Sequence, residues 1–423
     1  MISEILKCIV FVFCNVLTAL TNLFVHRDRN IILMGAWYGH RFAGNSRFLF
    51  QYLDREKERY GLKRVIWVTR DQGICNELNS LGYECYMMKS RKSFYYHFKA
   101  GIHMVSTNTA SSNATNKKAE GDIMGQLSLG AVRVYLNHGI TSIKGNRIRD
   151  FDKLHGKERF IIGIYRRLHR SKFLRKYVLC PGGWNRSIYL SSGAESFRRD
   201  RLGHLETEQI LFWETGFPEH CECVKYLKHE RKVLDVVKKH KKTILYLPTY
   251  RTNDQTGYFH PLNDTNFCEF LRKNNYYWID KLHPGAKDNM NADSYDEEIA
   301  LKLGSEFDTN VLWREVDIVI TDYSSICHTA VYFDRPLIFY WPDHESYLEK
   351  DKGLMEEFKN DIAGAIAYDP RELEKAIGQC FQSDYLAHWK EKYAKVKETF
   401  FDNRVADYEE IAASFFDFIK KNW

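Results

Sequence analysis

Two histidines stand where strand-like segments end, and each is followed by a residue that turns the chain. His138-Gly139 follows the apolar run VRVYLN, and His283-Pro284 follows YYWIDKL. Glycine permits a sharp turn and proline fixes φ, so both imidazoles are predicted at the carboxyl end of a strand. An imidazole there can accept a proton from an attacking hydroxyl or neutralise charge on a phosphate. Each pair taken alone is also consistent with a structural histidine bonded to a backbone carbonyl.

A second group of polar residues has the chemistry to bind an anion. The segment TDYSS (321–325) follows the strand VDIVI, PTYR (248–251) follows KTILYL, and Lys281 lies two residues before His283. Serines at a helix N-terminus, the Arg251 guanidinium and the Lys281 ammonium can all bind phosphate oxygens. Ordinary N-caps and salt bridges use the same residue types, and both uses stay open at this point.

Parallel sheets are the elements that must position these side chains. Apolar runs that alternate with helical stretches occupy residues 31–36, 63–69, 84–88, 103–107 and 132–139, and again 242–251, 276–285, 316–325 and 335–343. This alternation predicts an α/β protein with two doubly wound parallel sheets. Ligands bind beyond the carboxyl ends of such strands, which is where the polar residues stand.

The N-terminal segment 8–25 is strongly apolar and is followed by His26, Arg27 and Arg29. Eighteen residues is the lower limit for a spanning helix, and the Asn and Thr residues within the segment argue against one. No small-residue cleavage site follows, which argues against a signal peptide. We predict an interfacial helix with Arg27 and Arg29 at the lipid headgroups. The alternative is a helix that packs on the first domain.

Composition limits the class of protein and of partner. A length of 423 residues suits two domains, and the ten cysteines lack CxxC pairs, so we expect reduced thiols in the cytosol. The net charge of +7 is concentrated in a basic cluster that attracts polyanions, and no nucleic-acid motif accompanies it. This cluster comprises Arg166, Arg167, Arg170, Lys172, Arg175 and Lys176. No metal-ligand cluster is visible in the sequence, and dependence on Mg²⁺ stays open.

Taken together and in order, these segments resemble the CDP-glycerol glycerophosphotransferase family, which primes or polymerises teichoic acids and related capsule polymers. The matching segments are FAGNSRFLFQYL (42–53), NHGITSIK (137–144), ETGFP (214–218), ILYLPTYR (244–251), KLHPG (281–285), VDIVITDYSS (316–325), FDRPLIFY (333–340) and DKGL (351–354). The resemblance implies a glycosyltransferase-B-like fold of two Rossmann-like domains. We expect a membrane-associated helix at 1–30, an acceptor-side domain at 31–220, a nucleotide-donor domain at 221–400 and a C-terminal helix at 401–423 that crosses back.

The resemblance also implies roles for individual residues. His138 would be the catalytic base, and His283 would partner the phosphate or leaving group. The residues that would surround the donor are Thr249, Arg251, Lys281, Asp322, Ser324 and Ser325. The residues that would face the acceptor and the membrane are Lys144, Arg166, Arg167, Arg170 and Lys172. The implied acceptor is a glycan linked to polyprenyl diphosphate, and the implied donor is a CDP-activated polyol.

We therefore expect transfer of a phospho-polyol, with glycerol phosphate from CDP-glycerol as the first choice, and release of CMP. The expected location is the cytoplasmic face of a bacterial plasma membrane, as a peripheral or monotopic protein on an anionic lipid surface. One alternative is a sugar transferase of the same fold that uses a nucleotide sugar; another is a non-catalytic membrane scaffold. The sequence leaves open glycerol against ribitol, one addition against polymerisation, and the oligomeric state.

Overall fold

The described part of the chain forms two α/β units. A computed structural model describes residues 2–106, 121–139, 176–180, 210–249, 259–281, 296–350, 362–382 and 384–422. Unit 1 contains Met1–His138, Ile148–Lys225 and Val405–Trp423, and unit 2 contains Gly139–Arg147 and Tyr226–Arg404. Each unit is described by itself below.

Seven parallel strands form the sheet of unit 1, in the order β3-β2-β1-β4-β5-β6-β7. They are β1 (Asp28–Gly35), β2 (Arg64–Thr69), β3 (Glu84–Met87), β4 (Ala100–Val105), β5 (Val132–Tyr135), β6 (Lys176–Cys180) and β7 (Ile210–Glu214). The centre of β1 is a continuous buried run, including Ile32 and Leu33, because a parallel sheet is covered on both faces. β6 and β7 are strands that the sequence pattern does not predict.

The described helices of unit 1 pack around this sheet. They are α1 (Ile2–Phe24), α2 (Gly44–Arg55), α3 (Gln72–Ser80), α4 (Arg91–Lys99) and α11 (Tyr408–Asn422), with short 3-10 turns at Trp37–Gly39, Gly125–Leu127 and Pro218–His220. Asp71 and Ser90 begin α3 and α4 as N-caps, since each side chain accepts a bond from a backbone amide of the first turn. α11 contributes to this unit through Tyr408, whose ring stacks on Tyr52 of α2 at 4.7 Å.

Six parallel strands form the sheet of unit 2, in the order β10-β9-β8-β11-β12-β13. They are β8 (Thr243–Leu247), β9 (Tyr277–Asp280), β10 (Ala300–Lys302), β11 (Ile318–Thr321), β12 (Leu337–Tyr340) and β13 (Ala365–Ala367). The described helices of this unit are α5 (Lys228–Val237), α6 (Thr265–Asn274), α7 (Ile326–Tyr332), α8 (His344–Lys350), α9 (Pro370–Cys380) and α10 (Tyr385–Phe401), with 3-10 turns at Pro261–Asn263 and Thr309–Val311.

Both sheets contain a topological switch point. In unit 1, β1 lies between β2 and β4, and in unit 2, β8 lies between β9 and β11. The chain moves outward from the first strand on one side and then on the other, so the connections leave a crevice beyond the carboxyl ends of β1 and β4, and of β8 and β11. The predicted α/β class with parallel sheets is confirmed.

α1 is held on unit 1 by polar groups. Asn22 donates to the carbonyl of Leu129 at 3.0 Å. The fully buried Thr18 bonds within the helix, to the carbonyl of Cys14 one turn earlier. Arg27, just beyond α1, donates to four backbone carbonyls at 2.7–3.0 Å; these belong to His97, Ala100, Leu127 and Leu129. Of the helices described, none has the length and apolar character that crossing a membrane demands.

The prediction that Arg27 lies at the lipid headgroups is wrong. Arg27 lies just beyond α1, and its guanidinium connects this position to α4, to the start of β4 and to the 3-10 turn Gly125–Leu127, because it donates to the carbonyls of His97, Ala100 and Leu127. Burial lowers the pKa of Arg27 to about 10, which leaves it charged at neutral pH. Five planar N–H donors suit this clustering of carbonyls better than a lysine would.

Candidate functional site

His138 lies just beyond β5, next to the switch point of unit 1. Its Nδ1 is 3.2 Å from the carbonyl oxygen of Ser106, which directly follows β4, and its ring meets that of Trp37, just after β1, at 5.7 Å. A carbonyl only accepts, so the shorter contact, to Ser106, places the proton on Nδ1 and the lone pair on Nε2; the Tyr135 hydroxyl lies 3.5 Å from the same Nδ1 and can also accept from it. This tautomer is the one that a general base acting through Nε2 needs.

The backbone around His138 is unusual for residues other than glycine. Trp37, Tyr38 and Asn137 have φ values of 47°, 60° and 63°, in the left-handed region. Such conformations cost about 1–3 kcal/mol each for residues with a Cβ and occur mainly at functional sites. Asn137 partly offsets its cost, because its side-chain oxygen accepts from the backbone N–H of His138 at 2.8 Å.

Asp122, which sequence reasoning missed, braces the same edge of unit 1. Its two carboxylate oxygens accept from the backbone N–H of Tyr38 at 2.7 Å and of Ser106 at 2.9 Å, and the residue is fully buried. Asp122 therefore joins the segments that follow β1 and β4. The close approach requires Gly35 at the end of β1, because a Cβ there would collide with the carbonyl of Asp122.

Asn45 gives a role to the segment FAGNSR. It is fully buried in the first turn of α2, and its amide donates to the carbonyls of Leu136 and Asn137 at 3.2 Å. Its oxygen accepts from the backbone N–H of Glu219 in the GFPE segment at 3.1 Å. Asn45 thus fixes the loop that carries His138. No local pattern marks this residue, because its partners lie about 90 and 174 positions away.

Thr249 and Asp322 meet across the switch point of unit 2. The backbone N–H of Thr249, beyond β8, donates to Oδ1 of Asp322, beyond β11, at 2.7 Å, and the N–H of Tyr323 donates to the same oxygen at 2.6 Å. Asp322 is 1% exposed. The arrangement parallels Asp122 in unit 1: a buried carboxylate accepts backbone N–H groups and holds two strand ends together. Contact of Asp322 with a donor diphosphate stays a prediction.

Ser324 and Ser325 lie where the predicted helix begins. α7 starts at Ile326 and spans seven residues, with Ser325 as its N-cap residue. Both serines are partly exposed, and the hydroxyl of Ser324 accepts weakly from the N–H of Ile326 at 3.4 Å. Lys281 also lies at this edge, but it is 6% exposed and its Nζ donates to the carbonyl of Gly304 at 2.5 Å. Donor binding by these three residues stays a prediction.

The remaining predicted residues lie outside the described ranges. They are His283, Arg251, Lys144, Arg166, Arg167, Arg170 and Lys172. Within those ranges, no group of three or more His, Cys, Asp or Glu side chains is placed to hold a metal ion.

A two-unit parallel α/β fold with polar residues gathered at both switch points is typical of enzymes that act on nucleotide-linked substrates. The chain belongs to the CDP-glycerol:poly(glycerophosphate) glycerophosphotransferase family, whose model matches residues 200–412. The family resemblance stated above is confirmed, and the protein is an enzyme of phospho-polyol transfer.

Known relatives include enzymes for both polyols. The teichoic acid poly(glycerol phosphate) polymerase of Bacillus spizizenii is 24% identical over 369 residues, which cover 83% of this chain and 84% of the relative. The teichoic acid ribitol-phosphate primase of the same organism is 29% identical over 214 residues, 48% of this chain and 54% of the relative. Similarity alone therefore does not choose between glycerol and ribitol.

The fold is shared with a solved teichoic acid enzyme. The wall teichoic acid polymerase TagF aligns with 100% of this chain and 98% of its own, with a TM-score of 0.66 and 18% identity. A TagF variant soaked with CDPG gives a TM-score of 0.64 at 17% identity. At this level of identity the likeness shows the fold.

Proposed function

We propose that this enzyme transfers a phospho-polyol, glycerol phosphate from CDP-glycerol in the first instance, to a lipid-linked glycan and releases CMP. The observation that carries the proposal is the orientation of His138, whose Nδ1 is committed to the carbonyl of Ser106. This bond sets the tautomer in which Nε2 carries the lone pair that proton transfer requires. Family membership supplies the donor class.

The reaction follows from this assignment. The acceptor hydroxyl oxygen attacks the phosphorus that carries the polyol, the bond from that phosphorus to the CMP oxygen breaks, and the hydroxyl proton passes to Nε2 of His138. Charge grows on the phosphate oxygens and on the departing CMP, so positioning and positive or dipolar groups contribute most of the catalysis. Proton transfer by a placed base contributes about 10²–10⁴-fold.

Unit 2 would hold the donor. Asp322 braces Thr249 beside α7, and the serine hydroxyls at the start of α7 would donate to the diphosphate. Buried and bonded to backbone amides, Asp322 would act by holding this edge rather than by touching an anion that it repels. Arg251, Lys281 and His283 would add positive charge, as the family resemblance implies.

The first experiment measures CMP release from CDP-glycerol, beside CDP-ribitol and a panel of nucleotide sugars, with a lipid-linked saccharide as acceptor. His138→Ala should lower turnover at least 100-fold, while His388→Ala, an exposed histidine on α10, should keep wild-type activity. Equal melting temperatures would show that both variants fold. Full activity in His138→Ala would overturn the assignment of the base. Release of UDP or GDP would show that the donor is a nucleotide sugar. Parallel reactions with EDTA or added Mg²⁺ test metal dependence.

Peripheral attachment to the membrane that carries the acceptor is the second part of the proposal, and α1 supports it. Cys14, Thr18 and Asn22 face unit 1, whereas the opposite face of α1 is apolar and 42–85% exposed. Its members are Ile9, Phe13, Val16, Leu17, Leu20, Leu23 and Phe24. They recur at helical spacing, so they form one continuous stripe.

This arrangement inverts the usual amphipathic helix, in which apolar residues face the core. An apolar stripe of this size in water marks contact with a lipid surface or another apolar partner. α4 packs beside α1 and presents Phe94 and Tyr95, which are exposed, together with the exposed basic residues Arg91 and Lys92. Aromatic rings and cations beside an apolar stripe match the composition of an anionic bilayer interface. We therefore propose that the α1–α4 face lies on the cytoplasmic leaflet.

A further inference from the structure

A buried histidine–aspartate pair lies at the carboxyl edge of the unit 2 sheet. Nε2 of His260 is 2.9 Å from Oδ2 of Asp280, the last residue of β9, and the two residues are 3% and 0% exposed. Nδ1 of His260 accepts from the backbone N–H of Leu262 at 3.2 Å, so the ring proton is on Nε2 and is donated to the carboxylate. The tautomer is fixed by the fold, as in histidines that orient a functional neighbour.

Burying a polar pair at this position costs desolvation free energy that a purely structural contact would have to offset. Tyr277, Trp278 and Ile279, the other residues of β9, are all buried, and the ring of His260 packs against that of Tyr246 at 5.4 Å. A carboxylate in such surroundings must be compensated for desolvation, and well-packed apolar residues there are often as stable or more so. Stability alone therefore does not account for a polar pair at this strand end.

Asp280 directly precedes Lys281 at the end of β9. The backbone of this dipeptide bonds to both adjacent strands, since Lys281 N–H donates to the carbonyl of Tyr246 and Leu303 N–H donates to the carbonyl of Asp280. Those bonds are available to any sequence. The Asp280 side chain adds a contact that depends on residue type, and from this point Lys281 extends to the carbonyl of Gly304.

We propose that His260 and Asp280 are positioning residues that hold Lys281 at the end of β9 and thereby set the affinity for the CDP-linked donor. The inference rests on the proposed function, in which Lys281 contributes to the donor side of the site. His260 and Asp280 do not touch the donor; they act through the strand end. Their loss should therefore change donor affinity more than the rate of the bound complex.

Three variants separate positioning from packing. His260→Leu removes the donor to Asp280, His260→Gln restores an N–H at a similar reach, and the double variant His260→Leu with Asp280→Leu removes both polar groups without leaving a buried charge. The matched control is His240→Leu. His240 stacks on Tyr277 at 3.6 Å, at the opposite end of the same strand.

The measurements are KM for CDP-glycerol, kcat, and the rise in melting temperature on adding CDP, which requires no turnover. We expect His260→Leu and the double variant to raise KM at least tenfold, with kcat within threefold of wild type. His260→Gln should stay within threefold in KM, and His240→Leu should lose melting temperature but keep KM. A folded double variant with wild-type KM and wild-type response to CDP would overturn the inference.

The two proposals fail in different ways. Wild-type protein that binds CDP but releases no CMP from any CDP-polyol would refute the transfer reaction, and the CDP-induced melting shifts of the variants would still decide the role of the pair. Wild-type turnover with unchanged KM in both His260→Leu and the double variant would refute the pair alone. Should His260→Leu fail to fold, the double variant carries the test, since it has no unpaired carboxylate.

Discussion

Replacing Phe13, Leu20 and Leu23 by serine should detach the enzyme from anionic membranes. These side chains are 65%, 54% and 67% exposed on the outward face of α1. Complete burial of a side chain of this size contributes roughly 2 kcal/mol, so lipid contact over the exposed fractions contributes about 3.7 kcal/mol. That corresponds to a fall of about 500-fold in the partition coefficient. The assay is sedimentation with vesicles of phosphatidylglycerol and phosphatidylethanolamine across a range of lipid concentrations.

The control for this variant is Val405→Ser. Val405 is 80% exposed in unit 1 but lies outside α1, so its loss should leave vesicle binding unchanged. The triple variant should keep the wild-type melting temperature, because the polar contacts of Asn22 and Arg27 hold α1 in place. Unchanged co-sedimentation of the triple variant would refute lipid contact by this face. Conversion of a wild-type dimer into a monomer, with no change in vesicle binding, would assign the face to a second copy of the chain.

Three further perturbations follow from the contacts described. Asp322→Ala leaves the N–H groups of Thr249 and Tyr323 without their acceptor, so it should lower the free energy of unfolding by roughly 2–4 kcal/mol and raise KM for the donor. Urea titration measures the first effect and steady-state kinetics the second. An unchanged unfolding midpoint would contradict the structural role assigned to Asp322. Arg27→Met should destabilise unit 1 by about 3 kcal/mol and make the chain just after α1 accessible to protease. Limited proteolysis with mass spectrometry maps the cleavage sites. Cleavage at the wild-type rate would show that the contacts of Arg27 with the carbonyls are dispensable. Burial lowers the pKa of His97 and of His328 to about 4, below the unfolded value of roughly 6.5. As the pH falls, the unfolded chain therefore binds protons before the folded protein does. The stability that these neutral histidines provide above pH 6.5 is lost as the pH falls toward 4. At pH 5 each histidine should reduce the free energy of unfolding by about 2 kcal/mol, and single Gln substitutions that leave the pH dependence of urea unfolding unaltered would contradict this.

Local patterns in the sequence identify most of the sheet and the place of the site. Apolar runs such as IILMG and TILYL are strands because they are short, rich in β-branched residues and buried on both faces. Polar residues directly after such runs must lie at the carboxyl edge, so His138, Thr249 and Asp322 are located once the strands are recognised. β6 and β7 escape detection from the pattern because their runs, YVLC and ILFWE, stand outside the regular βα alternation.

Strand order decided what the side chains at that edge do. Ser106 and His138 are 32 positions apart, and Thr249 and Asp322 are 73 apart, so neither contact can be seen in a local window. The doubly wound order places β4 beside β5 and β8 beside β11, and those pairings set the tautomer of His138 and turn Asp322 into a brace. Asp122 acquires its role in the same way, through backbone groups contributed by two separate loops.

The N-terminal segment shows most clearly what the sequence determines and what only the tertiary structure decides. Its sequence determined a helix with an apolar and a polar face, but not which face would be turned toward the protein. Unit 1 offers carbonyl groups at Leu127 and Leu129 that need donors, and Asn22 and Arg27 satisfy them. Because the polar face of α1 supplies these donors, that face docks on unit 1 and the apolar face is turned outward. The periodicity of the sequence predicts the helix, whereas only the tertiary surroundings decide which of its faces is turned toward the protein.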